Sequence, residues 1–265
     1  MERLLMLHLQ AGACSAEVLL NGMPVAHVGA DGGHACLPVH EYTLTGKNRL
    51  ELIVGGAAPG QPSPSQPRVA MVPTWARARL VLARQGRSAA DPDVRVLVSV
   101  EWLAPEGKSY DAPATQAKEV DLPVNFPRWR WLDAPQIDIS APVRRQVIEF
   151  LQQLALDLGR GEPDSLLTAA KLRFDELALA YQRTTSEGMQ RFRDHLQQLY
   201  AAKALKLIPP NADEVVLRPV LDGRLIDCLT SSGGPALRTQ NEPAQGNHAW
   251  PLRVAMVEGK IYVLR

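Results

Sequence analysis

Residues 126–133 read Phe126-Pro127-Arg128-Trp129-Arg130-Trp131-Leu132-Asp133, and the chain changes character across them. Before Asp133, apolar residues recur at every second position between turn signals, the period of a strand. After it they recur three and four apart, the period of a helix. If the segment is extended, Arg128 and Arg130 lie on one side and Trp129 and Trp131 on the other. Trp and Arg dominate interface hot spots, and the two pair through cation–π contact. The segment therefore reads as a strap with two open roles. It plugs the seam between two domains, 1–132 and 133–265, or it faces an external partner.

Working back from the strap, Val94 to Leu103 and Ala78 to Ala83 read as strands. The first of these is apolar on both faces in its middle, as expected of a covered core strand. Gly55 to Pro67 holds Pro59, Pro62, Pro64 and Pro67 and reads as an extended loop. Arg49 to Val54 is a strand with Leu50, Leu52 and Val54 on one face. Asn21-Gly22, between Glu17–Leu20 and Met23–Ala26, is the signal of a type I′ hairpin, whose two turn residues need positive φ.

Working forward, Ser140 and Pro142 open a helix carrying Val143, Val147, Leu151, Leu154 and Leu158, stopped by Gly159 and Gly161. Asp164 opens a second, with Leu167, Ala170, Phe174, Leu177 and Tyr181 on its apolar stripe. Ser186 opens a third, with Met189, Phe192, Leu196 and Leu199. Pro209-Pro210 ends the helical region. A meander follows: Val215–Leu221, a turn at Asp222-Gly223, Leu225–Leu229, a turn at 231–234, then Ala249–Val257 paired through Glu258-Gly259 with Lys260–Leu264.

The fold class expected is thus two domains, an all-β sandwich followed by an α+β domain with three helices and a curled antiparallel sheet. In the first, Asn21, Gly22 and Val25, then Gly46, Asn48, Leu50 and Leu52, follow the hairpin and "G-x-N-x-L" pattern of galactose-binding-like domains. Residues 1–120 resemble that jelly-roll sandwich; the resemblance carries the fold and no ligand. The second resembles the NTF2-like (SnoaL-like) cone in its order of elements. It departs from it between the second and third helices, where residues 182–185 leave no room for the family's short strand.

The 265 residues are 46% hydrophobic and 22% charged, with net charge +1. Residues before Asp133 hold 13 basic and 12 acidic side chains, and the rest hold 16 of each. That balance argues against nucleic acid as the partner, which requires a basic surplus. No run of about 18 apolar residues occurs, so no membrane span is expected. The N-terminal run to His8 is too short for an export signal, and a cytoplasmic location follows. Cys14, Cys36 and Cys228 form no C-x-x-C pair; they read as reduced thiols, with a Cys14–Cys36 bridge as the alternative.

Among candidate sites, His27, His34, His40 and Cys36 are dense in metal-ligand chemistry but match no zinc spacing, so no metal and no cofactor is expected. Ser231-Ser232-Gly233-Gly234 reads as a turn, lacking the G-x-S-x-G pattern and a following helix. Asp194 and His195 diverge on a helix and make no dyad. The NTF2-like resemblance implies acid–base residues inside the cone, and Asp227, His248 and Tyr262 are the side chains that lie on or beside its strands.

With no catalytic motif, the function expected is non-catalytic binding of a protein partner. The overall profile resembles that of a bacterial immunity or adaptor protein that neutralises a toxin delivered by a secretion system. Two rivals remain: an enzyme or small-molecule binder using Asp227, His248 or Tyr262, and a carbohydrate-binding module on the sandwich. Oligomeric state is open.

Overall fold

The computed structural model describes residues 3–84, 94–240 and 246–265. Its described residues are mostly β, with four α-helices and several antiparallel sheets. The chain divides into two compact units, Met1–Arg128 and Trp129–Arg265.

The first unit holds β1 (Arg3–Gly12), β2 (Ala16–Leu20), β3 (Met23–Val28), β4 (Gly32–Pro38), β5 (Gly46–Val54), β6 (Gln66–Val69), β7 (Thr74–Arg84), β8 (Arg95–Ala104), β9 (Ser109–Ala112) and β10 (Ala114–Leu122). Two four-stranded antiparallel sheets, ordered β4-β1-β7-β8 and β10-β5-β2-β3, enclose one core. Strand alternation supplies it: Leu5, Leu7 and Leu9 from β1, Ala76, Ala78 and Leu80 from β7, and Val18, Leu20, Leu50, Leu52 and Val54 from the other sheet. The hairpin expected at Asn21-Gly22 forms, with φ of 55° and 79°. Asn21 Nδ2 also donates to Asn48 Oδ1 and to the Tyr42 carbonyl, both at 2.8 Å. Buried Asn48 in turn donates to the carbonyls of Leu44 and Gly46. The two asparagines of the motif are therefore structural ties between hairpin and neighbouring loop.

Three sequence readings of this unit change. The N-terminal run, read only as too short for a signal, is the ten-residue strand β1 at the centre of its sheet. β8, expected to be a covered core strand, is the sheet edge, and its Val96 and Leu103 are exposed. The proline-rich loop ends in a short strand, because Gln66–Val69 pairs with β9 in spite of Pro67.

The second unit holds α1 (Ala141–Gly159), α2 (Asp164–Ala169), α3 (Lys171–Tyr181), α4 (Thr185–Ala201), β11 (Val215–Val220), β12 (Leu225–Thr230), β13 (Leu237–Arg238), β14 (Ala249–Trp250), β15 (Arg253–Val257) and β16 (Lys260–Val263). Its main sheet is an antiparallel meander, β11-β12-β15-β16. Val147, Leu151, Leu154 and Leu158 of α1 share a core with Leu217, Ile226, Val254 and Val263 of the sheet. The second expected helix is two, since Ala170 leaves helical geometry at φ −95° and ψ 5°. The third starts earlier than Ser186, because Thr184 and Glu187 form a capping box. The strand expected over 249–257 is interrupted at Pro251, which has no N–H to give a ladder. Among the described residues no helix is long and apolar enough to cross a membrane.

Candidate interaction surface

The strap is built into the second unit from Trp129 onward. Arg130–Leu132 is a 3-10 turn rather than an extended segment. The alternation nevertheless holds: Trp129 and Trp131 are fully buried, while Arg128 and Arg130 are exposed. The Arg265 guanidinium lies 5.9 Å from the Trp129 ring and 5.8 Å from the Trp131 ring. Buried Glu176 on α3 neutralises it at 2.6 Å and also accepts the Arg130 backbone N–H at 2.5 Å. A molecule meeting this segment from solvent meets the two arginines and neither ring.

The three candidates of the second unit, Asp227, His248 and Tyr262, lie in different surroundings. Asp227 is buried on β12, 3.4 Å from Arg253 Nε. Tyr262, on β16, lines an open groove of about 870 Å³ with Glu149, Asp164 and Lys260. His248 precedes β14, donates its backbone N–H to Thr239 Oγ1 at 3.0 Å, and sits 6.4 Å from His195, centroid to centroid. His195, read as one half of a failed dyad, has His248 as its ring neighbour.

The ligand-rich stretch of the first unit also disperses. His40 is buried and accepts the Leu5 N–H through Nε2 at 2.8 Å. His27 pairs with Glu17 on another sheet. His34 and Cys36 are exposed on edge strand β4, and Cys36 Sγ lies 3.3 Å from His8 Nε2. Among the described residues no three His, Cys, Asp or Glu are grouped to hold a metal ion. All three cysteines are free, so the Cys14–Cys36 bridge is absent.

The outer face of sheet β4-β1-β7-β8 does assemble side chains. Register places Gly32, Gly12, Trp75 and Leu103 in one row across the four strands. His34, Gln10, Arg77 and Glu101 form the next, and Cys36, His8, Arg79 and Ser99 the one after. The Trp75 ring lies over Gly12: a Cβ there would come within 2.6 Å of the indole nitrogen, and the ring would have to shift. Arg77 bonds Gln10 Oε1 at 3.1 Å and lies 4.0 Å from Glu101. Trp75, Arg77, Glu101, Trp102 and Leu103 line an open groove of about 400 Å³.

Past the first row the surface turns apolar. Val69, Met71, Val72 and Trp75 are exposed within seven residues, and Leu103 is the cross-strand neighbour of Trp75. Met71 is 80% exposed and Leu103 63%. The sequence reading began its strand at Ala78 and so missed this end. The signal was there, since Trp75-Ala76-Arg77-Ala78-Arg79-Leu80 alternates at period two. No protein-family model, no curated protein sequence and no solved structure matches the chain.

Proposed function

We propose that the chain is a non-catalytic protein-binding protein whose contact surface is the apolar end of the first unit. The observation that carries this is the exposure of Val69, Met71, Val72 and Trp75 within seven residues, with exposed Leu103 beside Trp75 in register. Exposed apolar side chains scattered singly are ordinary, whereas a contiguous group beside polar residues marks an interaction site. Trp and Met are enriched at such sites, and Arg77 and Glu101 supply the polar rim. The near-zero net charge suits a protein partner better than nucleic acid.

The finer reading keeps two domains, a jelly-roll-like sandwich and an NTF2-like cone. It makes the chain a bacterial immunity or adaptor protein that caps a secretion-system toxin in the cytoplasm. Two sheets around one core support the first scaffold, and helices against an antiparallel meander support the second. Three free cysteines suit a reducing compartment. The immunity role rests on the sequence profile.

The test is a binding titration against the product of the neighbouring gene. Met71→Asp combined with Leu103→Asp should weaken binding by about 2 kcal/mol or more, the hot-spot scale, at unchanged melting temperature. Wild-type affinity in that variant would refute the surface. A second reading has one observation in its favour: the Trp75 groove offers an aromatic face beside Arg77 and Glu101, as a carbohydrate module would. Quenching of tryptophan fluorescence by a sugar, lost in Trp75→Ala, would establish it instead.

A further inference from the structure

The third row of the outer face, Cys36, His8, Arg79 and Ser99, is absorbed by none of the readings above. Cys36 is exposed on edge strand β4, and His8 stands directly opposite it on β1. His8 is itself 7% exposed, and among the described residues its hydrogen-bond partner is the Cys36 thiol, at 3.3 Å. Arg79 follows on β7, paired in register with His8. Unlike Arg77, Arg79 has no carboxylate within ion-pair range among the described residues; the buried Nε of both arginines lacks an acceptor. A thiol, a buried imidazole and an unneutralised guanidinium thus come from three adjacent strands. The other titratable groups on this face are His34 on β4, Arg77 on β7 and Glu101 on β8, and Glu101 is held by Ser99 at 3.0 Å.

We propose that Cys36 is a modification site, a thiol that exchanges with small disulfides bearing carboxylate groups, with His8 as proton acceptor and Arg79 as the anion-binding group. The Cys36 proton passes to His8 Nε2 as Sγ attacks one sulfur of the incoming disulfide. A bond forms between Sγ and that sulfur, and the S–S bond of the reagent breaks. The leaving thiolate takes the electron pair and then the proton from His8. Cys36 is oxidised to a mixed disulfide, and the departing half of the reagent is reduced to a thiol.

The electrostatics favour this over a metal site. The Arg79 charge repels a cation and attracts an anion. Burial, and then Arg79, hold His8 below the ordinary histidine range, so the imidazole rests neutral with Nε2 as an acceptor; both causes oppose a standing imidazolium–thiolate pair, and the proton crosses only as Sγ attacks. Burial also holds the Cys36 thiol protonated, so exchange needs that base. Cys14 and Cys228 are buried and out of a reagent's reach, which leaves exposed Cys36 as the reactive one.

The experiment is stopped-flow reaction of the full chain with a dianionic disulfide, dithiobis(nitrobenzoate), and a neutral one, dithiodipyridine. One thiol per chain should react rapidly with the dianionic reagent, and Cys36→Ser should abolish that phase. Arg79→Gln should slow the dianionic reagent about tenfold, the lower end of electrostatic focusing, while leaving the neutral one within about a factor of two. His8→Asn should slow both reagents by about a hundredfold, the lower end of general-base effects. Because His8 is buried, its variant is read only if the melt shows it folded; Arg79→Gln decides otherwise. A wild-type chain with no rapid thiol, or an Arg79→Gln chain that slows both reagents equally or neither, would overturn the proposal.

Discussion

Arg265 and Glu176 show how far a single residue's environment departs from its type. A charged pair sits almost wholly out of water, with two indole rings against the cation. Taking both charges from water is costly, and the pair persists because Glu176 also satisfies the Arg130 N–H. Removing one partner strands the other. Glu176→Leu is expected to lower unfolding free energy by about 3–5 kcal/mol, measured by urea titration. Trp129→Ala is expected to cost about as much through its cavity. Equal stability of either variant and wild type would mean that the cluster contributes nothing. None of this was readable beforehand: Glu176 and Arg265 are 89 residues apart, and periodicity says nothing of charges that pair across such a distance.

At the scale of elements, the sequence announces most of what has a local cause. The Asn21-Gly22 hairpin, the Leu50-Leu52-Val54 face and the α1 stripe follow from turn chemistry and period. What failed depends on neighbours. Nothing in 94–103 tells a core strand from an edge, and nothing in 164–181 marks the break at Ala170. The outer-face rows join residues from four strands, so only register reveals them. The capping box of α4 was legible and overlooked. The Thr184 N–H and hydroxyl hold the Glu187 carboxyl below the ordinary glutamate range. A depressed folded value means that this contribution is present above the ordinary glutamate pKa and fades as pH falls through the folded one. Thr184→Ala removes the hydroxyl and keeps the backbone N–H, so it should lower the melting temperature near neutral pH, with the gap to wild type narrowing in acid. Parallel pH–stability curves for the two proteins would contradict this.

For the whole molecule, two compact units with separate cores carry a surface that is polar along one sheet face and apolar at its end. Separate cores imply separate folding, and residues 129–265 expressed alone should melt cooperatively by circular dichroism. A fragment without a transition would mean that the units depend on each other. The binding account makes a sharper statement, since it places the partner on Val69, Met71, Val72, Trp75 and Leu103 and not on the exposed arginines of the strap. Hydrogen–deuterium exchange of the full chain, with and without the neighbouring gene's product, separates these directly. The account predicts partner-dependent protection of the amides over 66–77 and 101–110. Protection confined to 126–133, or to the second unit, would contradict it.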